Sequence, residues 1–357
     1  MGNTDSIVLN TNSAVIREDM NAVIHNELPW ENLERKKILL TGAAGMLGAY
    51  IAETLLTLPY SLELYALVRN PEKAQKRFSR YLSDPRLHLI KWDLSQDLPV
   101  DFPKCNIVIH YGSIPRPDNI IPVDVAEPNI TGTWKLLEYA RSCPDFEQFL
   151  FCSSCGIYGN CSTGGSVKES VAVQVNPLEI ESCYTISKIA GEHSCILFDS
   201  QYNIPCKILR YAHTYGPGVD LNNDVRSFAF FLQSVLRNQD ITLNSSGKQK
   251  RCFCYIADAT EAFFRVLLKG ERKNAYNIAA PENKISILDL ALFLASLNPE
   301  KKVKVKVCQE KVVSGFVPLN AENEPDIGKL QELGFTPKIS IEEGFRRTLS
   351  SYSINFF

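Results

Sequence analysis

A tyrosine and a lysine four residues apart form the most chemically informative pair in the chain. Tyr184 and Lys188 fall within a segment, about 181–200, that is predicted to be helical. Side chains four apart lie on one face of a helix. An ammonium group near a phenol favours the phenolate and lowers the tyrosine pKa from about 10. The pair predicts a general acid/base, although the same spacing is common on solvated helices.

A serine at the end of an apolar strand is the second candidate. Residues 149–152 are apolar or thiol-bearing and lead into Ser153 and Ser154. Ligands of open α/β sheets bind outside the carboxyl ends of the strands. Ser154 is therefore predicted to bind a substrate oxygen beside Tyr184. The alternative is a serine that caps a turn.

A third signal is a glycine loop between a predicted strand and a predicted helix. Gly42 permits a tight turn, Gly45 lets the backbone approach a pyrophosphate, and Gly48 lets helix and strand pack closely. The helix N-terminus, at Met46 and Leu47, offers free N–H groups and a positive dipole end. The loop predicts a dinucleotide site, because glycine loops in this strand–turn–helix context bind pyrophosphate.

The choice of cofactor depends on Arg69, which lies just after the second predicted strand. An acidic residue here binds the ribose 2′-hydroxyl of NAD, whereas an arginine accommodates the 2′-phosphate of NADP. Arg69 favours NADP slightly over NAD. The alternative is an arginine that stacks on the adenine of NAD.

These residues need a sheet that brings the ends of several strands together. The apolar patterns predict strands at 37–41, 62–68, 86–90, 106–110, 147–152 and 205–211. They predict helices at 45–57, 71–82, 123–142, 181–200, 224–238, 258–269, 286–296 and 340–350. Such alternation predicts an α/β protein with a parallel sheet covered on both faces.

Composition excludes several classes of function. The 357 residues carry a net charge of -2, so composition indicates no nucleic-acid-binding surface. No apolar run is long enough to span a membrane, and the N-terminus lacks the pattern of a secretory signal. The eleven cysteines show no disulfide spacing. Free thiols in a reducing cytoplasm are expected, and a zinc or redox role for the pair Cys152 and Cys155 is the minor alternative.

At these residues the chain resembles the extended short-chain dehydrogenase/reductase superfamily, and within it the NAD-dependent epimerase/dehydratase family that acts on nucleotide sugars. The resemblance covers about residues 36–350. Besides the segments above, it rests on matches at 91–94, 106–113, 129–133, 209–218, 247–258 and 334–344. The sequence departs from the family pattern at residues 111–113, and at His213, which stands where the family has asparagine.

The resemblance implies a Rossmann doubly wound parallel sheet with a smaller, partly discontinuous substrate-binding lobe. Residues 36–211 with about 252–280 would form the Rossmann domain, and 212–251 with 281–350 the lobe. Residues 1–35 would be an added arm that packs on the body. A homodimer is also expected.

The resemblance assigns a role to each candidate residue, with no metal. The catalytic residues would be Ser154, Tyr184 and Lys188. The cofactor would be bound by Gly42, Gly45, Met46, Leu47, Gly48, Arg69, Asp93, Leu94, Tyr184 and Lys188. The nucleotide sugar would be bound by Ser113, Ser154, Cys155, His213, Arg226 and Arg251. For Arg251 the alternative is a solvated turn residue.

The two residues after the catalytic serine predict the type of reaction. Dehydratases of the family carry an Asp-Glu pair there and decarboxylases a glutamate, whereas this chain has Cys155 and Gly156. We therefore expect epimerisation through transient oxidation at one sugar carbon, C4. An NADP-dependent 4-ketoreductase is the alternative, a 4,6-dehydratase is disfavoured, and a non-catalytic NAD(P)-binding regulator is the alternative class.

Overall fold

The computed structural model describes residues 6–99, 101–114, 121–159, 165–297, 303–308 and 324–355. The helices in these ranges are α1 (Ala14–Ile24), α2 (Met46–Thr57), α3 (Pro71–Arg77), α4 (Pro122–Arg141), α5 (Cys183–Tyr202), α6 (Ser227–Leu236), α7 (Ile256–Lys269), α8 (Ile287–Ser296), α9 (Gly328–Glu332) and α10 (Ile341–Ser350). The strands are β1 (Ser6–Leu9), β2 (Lys37–Thr41), β3 (Glu63–Val68), β4 (Leu87–Lys91), β5 (Ile107–His110), β6 (Gln148–Ser154), β7 (Ser166–Val167), β8 (Cys206–Tyr211), β9 (His213–Tyr215), β10 (Ile241–Leu243), β11 (Lys250–Tyr255), β12 (Asn274–Ile278), β13 (Lys284–Ser286), β14 (Val305–Val307), β15 (Glu324–Pro325) and β16 (Tyr352–Asn355).

The centre of the molecule is a seven-stranded parallel sheet in the order β12-β8-β6-β5-β2-β3-β4. The order reverses between β2 and β5. Loops leaving these two strands diverge at their carboxyl ends, which opens the crevice where such sheets bind ligands. The prediction of a doubly wound α/β fold is confirmed.

Helices cover both faces of this sheet. On one face, α2 and α7 contribute Leu55 and Phe263 to a core that also contains strand residues such as Leu40. On the other face, α4 and α5 contribute Leu137 and Phe198. Because both faces are buried, the strands are apolar at successive positions rather than at alternate ones.

Most predicted elements lie within a few residues of the observed ones, and the differences have local causes. The helix predicted at 71–82 ends at Arg77, because Phe78 leaves the helical conformation to insert into the core. The helix predicted at 224–238 is shorter, since Asp224 and Arg226 form its N-terminal turn and Asn238 has a left-handed backbone conformation, φ +55°.

Several regular elements were not predicted from the sequence, among them α1, the edge strand β12 and the terminal strands β1 and β16. The terminal pair is antiparallel, with Ile7 opposite Ile354. In α1, Val23 is buried, and after it Trp30 meets Phe264 of α7 edge to face with ring centres 4.9 Å apart. The described residues before β2, from Ser6 onward, therefore pack on the body of the molecule.

A second, smaller core lies beyond the carboxyl edge of the sheet. It contains α6, α8, α10 and a three-stranded sheet in the order β13-β11-β9. Phe253 of β11 and Phe345 of α10 pack there against Tyr215. This core supports the strands β9 and β11, which carry two of the predicted substrate residues. No helix among the described residues has the length and apolar character to cross a bilayer.

Candidate active site

The glycine loop has the geometry of a phosphate-binding turn. Gly42 has φ +67°, and a Cβ there would lie 2.8 Å from the amide nitrogen of Gly112. A Cβ on Gly48 would overlap the Gly42 carbonyl oxygen. Gly45 is the N-cap of α2 and gives it no side-chain hydrogen bond. The N-terminus of α2, at Met46, therefore has the backbone donors and dipole that bind an anion.

A chain of buried hydrogen bonds fixes the strand ends around this loop. The amide of Gly112 donates to the Thr41 hydroxyl at 2.8 Å, and Thr41 lies 2.8 Å from Nδ1 of His110. Nε2 of His110 lies 3.0 Å from Thr133, whose hydroxyl donates to the Asn129 carbonyl at 2.7 Å. Burial lowers the pKa of His110 to about 3, so the ring is neutral and positions the strands rather than transferring protons.

Tyr184 and Lys188 lie on α5, four residues apart and on one face of the helix, as the sequence predicts. The Lys188 side chain is 2% exposed, and its ammonium lies 5.7 Å from the Tyr184 ring centre and donates to the Cys152 carbonyl at 2.8 Å. Burial lowers the pKa of Lys188 and raises that of Tyr184 above its usual value. The charge of Arg226 and a hydrogen bond with Ser113 act against burial and lower the pKa of Tyr184. The Lys188 ammonium is held by a backbone carbonyl in this arrangement, and a lowering of the Tyr184 pKa by its charge stays a prediction.

Asn129 links α5 to the loop after β5. Its Oδ1 accepts from the amide of Ile114 at 2.8 Å, and its Nδ2 donates to the Ile114 carbonyl and to the Ser187 hydroxyl, each at 3.1 Å. Ser187 donates to the Tyr184 carbonyl at 2.6 Å. This role of Asn129 was not predicted from the sequence, although the residue lies in one of the motifs that carried the family resemblance.

Ser154 ends β6 and also caps a short helix. Its hydroxyl accepts from the amide of Gly156 at 3.0 Å, at the start of the 3₁₀ turn Cys155–Tyr158. The structure thus shows the capping role, at the strand end where a substrate oxygen is expected. The Cys155 thiol donates to the Arg210 carbonyl at 3.1 Å, and burial raises its pKa. The geometry does not support the predicted substrate contact by this thiol.

A buried ion pair beneath Ser154 was not predicted from the sequence. Arg210 of β8 pairs with Glu192 of α5 at 2.7 Å, and the Ser153 hydroxyl donates to Glu192 at 2.5 Å. Tyr158 accepts from Arg210 at 2.9 Å. Removing either partner of such a buried pair is strongly destabilising, so the pair fixes α5 relative to β6 and β8.

The basic residues predicted to bind substrate lie on β9, on β11 and at the start of α6. His213 in β9 lies opposite Phe253 in β11, two residues after Arg251. Burial lowers the pKa of His213 to about 3, and the charges of Arg251 and Arg226 act in the same direction. Arg251 is 7% exposed and donates to the Lys250 carbonyl at 3.0 Å. The alternative of a solvated turn residue is therefore wrong for Arg251.

Arg226 is the N-cap residue of α6. It pairs with Asp224 at 2.5 Å and donates to the Thr214 carbonyl at 3.5 Å. Its guanidinium lies 4.6 Å from the Phe228 ring centre. Since its charge influences both Tyr184 and His213, it lies within electrostatic reach of both.

The residues predicted to bind the adenosine end lie at the ends of β3 and β4. Arg69 is exposed after β3. Asp93 lies after β4 and accepts from the amide of Ser95 at 3.0 Å and from its hydroxyl at 2.7 Å. These bonds, and to a smaller extent the charge of Arg69, hold the pKa of Asp93 below its usual value. Leu94 is buried and packs on Gly132. No group of metal-ligating side chains suitable for an ion occurs among the described residues.

Comparisons with known proteins give consistent results. Residues 38–279 match the model of the NAD dependent epimerase/dehydratase family. UDP-glucuronic acid decarboxylase 6 of Arabidopsis thaliana is 27% identical over 312 residues, 86% of each protein. The structure of UDP-glucuronic acid 4-epimerase from Bacillus cereus with NAD is similar at a TM-score of 0.74 and 25% identity, covering 88% of this chain and 98% of that one. UDP-N-acetylglucosamine 4-epimerase from Methanobrevibacter ruminantium M1, at a TM-score of 0.75, 20% identity and coverage of 89% and 98%, shares the fold.

Proposed function

We propose that this chain, which belongs to the NAD dependent epimerase/dehydratase family, is a nucleotide-sugar epimerase that inverts one sugar carbon, C4, by transient oxidation. The observation that carries the proposal is the position of Tyr184. It forms a hydrogen bond with Ser113 and lies within electrostatic reach of Arg226. Arg226 and Arg251 in turn act on His213. A proton-transfer group and an anion site at one sheet edge suit a sugar joined to a diphosphate.

The glycine loop fits a dinucleotide. The open N-terminus of α2 supplies donors for its diphosphate, and the absence of a Cβ at Gly42 and Gly48 keeps the turn tight. In this proposal Asp93 binds the adenine and Lys188 binds the nicotinamide ribose. When bound, the cofactor accepts a hydride and returns it.

In the proposed reaction, Tyr184 removes the proton from the sugar hydroxyl as that carbon is oxidised. Ser154 and Ser113 orient the sugar oxygen. The positive charge of Lys188 stabilises the phenolate form of Tyr184. The keto sugar then rotates so that its opposite face can be reduced, and Tyr184 returns the proton to the oxygen. His213, Arg226 and Arg251 retain the diphosphate throughout, which holds the intermediate while the sugar turns.

The residues after Ser154 favour epimerisation over elimination or decarboxylation. Gly156 has no side chain, and the Cys155 thiol is buried against the Arg210 carbonyl. Neither group can exchange a proton at the sugar C5. The relatives named as decarboxylases therefore share the fold and the oxidation step in this proposal, but not the later chemistry. An NADP-dependent 4-ketoreductase is the second candidate, supported by Arg69.

The cofactor preference is tested by Arg69→Ala. If NADP is used, the variant should lose affinity for NADP by about 10-fold or more and keep its affinity for NAD, because a charge-assisted contact to the 2′-phosphate disappears. Isothermal titration with both cofactors measures the difference, and Arg17→Ala in the terminal arm serves as the charge-matched control. Equal losses for both cofactors would indicate that Arg69 stacks on adenine.

We also propose a cytoplasmic homodimer. Val123 and Trp134 are 67% and 46% exposed and lie three turns apart on α4. Trp134 contacts Phe198 of α5 with ring centres 5.0 Å apart, and the preceding residue, Leu197, is 38% exposed. A second copy packing α4 and α5 against the same helices would bury this apolar face. The thiol form of the cysteines among the described residues suits a reducing compartment. Sedimentation of the wild type and of Trp134→Glu tests the dimer.

The deciding experiment identifies the reaction. The bound cofactor is released and identified, and UDP-, GDP-, CDP- and dTDP-sugars are then screened for a change of isomer without net formation or consumption of NAD(P)H, with Tyr184→Phe as the inactive control. Interconversion of C4 isomers supports the proposal. Stoichiometric loss of NADPH would instead identify a ketoreductase. A cofactor that no nucleotide sugar reduces would indicate a regulator.

A further inference from the structure

One segment joins the cofactor side of the site to the substrate side. Residues 216–226, called here the bridging segment, run from β9 to α6. Near its start, Gly218 has φ +102° and packs against Met46 at the N-terminus of α2, where a Cβ would lie 3.6 Å from the Met46 Cα. At its end lies Arg226, within electrostatic reach of Tyr184. The conformation of the bridging segment therefore affects both halves of the site.

The two ends of the chain hold the outer side of this segment. Asn222 donates from Nδ2 to the Ile7 carbonyl at 2.7 Å and accepts at Oδ1 from the Ile7 amide at 3.1 Å. The Tyr352 hydroxyl accepts from the Gly218 amide at 2.9 Å and donates to the Val219 carbonyl at 2.7 Å. Each side chain thus makes two backbone hydrogen bonds between the bridging segment and a terminal strand.

The anchors themselves are firmly packed. Ile7 is 4% exposed and Tyr352 is 9% exposed, and both belong to the second core. A third restraint, the ion pair of Lys73 with Asp220 at 2.9 Å, has side chains 56% and 40% exposed and contributes little in water. The hydrogen bonds of Asn222 and Tyr352 are therefore the main polar restraints identified on the segment. Ile7 and Tyr352 lie outside residues 38–279, the part that matches the family model.

We propose that Asn222 and Tyr352 are positioning residues, through which the terminal strands β1 and β16 hold the bridging segment in the conformation that binds the nucleotide sugar. The inference rests on the proposed function. A segment containing Gly216 and Gly218 has high conformational entropy when free. Ordering it during folding removes that cost from substrate binding, which strengthens affinity without adding a contact to the substrate.

The test is a pair of single variants, Asn222→Ala and Tyr352→Phe, assayed with the nucleotide sugar and cofactor found in the screen above. We expect each to raise KM about 3–10-fold, the effect of losing about one net hydrogen bond, while kcat changes less than twofold. The dissociation constant of the matching nucleoside diphosphate, chosen from UDP, GDP, CDP and dTDP, should rise by the same factor.

Two matched controls separate positioning from general stability. Asn106→Ala removes an amide that accepts from the Lys37 amide at 2.9 Å and donates to the Asp145 carbonyl at 3.0 Å. Tyr276→Phe removes a buried hydroxyl that accepts from the Glu271 amide at 2.8 Å. Both lie away from the bridging segment, and we expect them to lower Tm by a similar amount with an unchanged KM.

Failure of the proposed function and failure of the positioning role give different results. If the wild-type chain binds none of the four nucleoside diphosphates, the proposed function fails. If it binds one, but the two variants keep the wild-type KM and dissociation constant, or the controls raise KM equally, the positioning role of the terminal strands is refuted.

Discussion

The carboxyl edge of the sheet and the terminal support, defined as Asp19 with its donors together with β1, β16 and the residues they hold, use buried charge differently. At the edge, Arg251 and His213 lie together, and the proximity of further positive charge helps to keep His213 neutral. In the terminal support, the carboxylate of Asp19 is enclosed by donors from three elements. Tyr50 and Tyr255 donate to it at 2.9 and 2.8 Å, and Arg347 at 3.1 Å.

The difference separates the proposed binding site from a structural junction. Clustered positive charge raises the energy of the free protein and is offset when an anion binds. A carboxylate with three donors needs no ligand, and its role is to join α1, α2, β11 and α10. Variants at the edge should therefore change catalysis and affinity, whereas variants of the support should change stability.

The largest effect is expected from Tyr184→Phe. The variant loses only a hydroxyl, so it should fold and bind cofactor with the wild-type dissociation constant. Its kcat should fall by about 10²–10⁴-fold, because a positioned acid/base is removed. Steady-state assays and cofactor titration measure the two quantities. Near wild-type turnover would refute the role of Tyr184.

Arg251→Ala should have the next largest effect. Loss of a charge-assisted hydrogen bond to a buried phosphate costs on the order of 1.5–3 kcal/mol, so KM for the nucleotide sugar should rise by about 10–150-fold. The dissociation constant of the cofactor should not change. Titration with the free nucleoside diphosphate checks the cause, and wild-type affinity in that titration would contradict the anchoring role. Arg346→Ala on α10 is the control.

Asp19→Asn tests the terminal support. Burial raises the pKa of Asp19 to about 6 from 3.8, in spite of its donors. A raised carboxyl pKa means that the folded state binds the proton more tightly, so wild-type stability should fall as pH rises from about 4 through 6. Relative to the Asp19→Asn variant, whose amide does not titrate, the loss should be about 1–3 kcal/mol. Urea unfolding at several pH values measures it, and a relative gain of stability over that interval would contradict it.

The same contrast explains how much was predictable from sequence. The glycine loop, the Tyr184 and Lys188 pair and Arg251 carry local patterns, because a ligand dictates residue type and spacing there. The terminal support has no such pattern. Tyr352 and Asn222 are ordinary residues whose partners lie 133 and 215 positions away in the chain, and β1 is too short for periodicity to identify. The direction of the Lys188 ammonium also depended on tertiary structure, since its acceptor is a backbone carbonyl on another element.

The smallest effect is expected from Arg226→Ala, and it tests how the edge tunes its catalytic tyrosine. The positive charge of Arg226 lowers the pKa of Tyr184, which burial otherwise raises. Removing that charge should raise the Tyr184 pKa further. The rising limb of the pH profile of kcat, which follows formation of the phenolate, should then move to higher pH. Near pH 7 the kcat of the variant should be several-fold below that of the wild type, and at high pH the difference should disappear.

Asp224→Asn is the matched control for this last effect. Asp224 pairs with Arg226 at 2.5 Å and offsets its charge. Removing the carboxylate leaves the guanidinium charge uncompensated, so the rising limb should move to lower pH, opposite to the shift in Arg226→Ala. Profiles of kcat at saturating substrate distinguish this effect from weaker binding. Shifts of the same sign in the two variants would show that Arg226 acts on Tyr184 through loop position rather than through its charge.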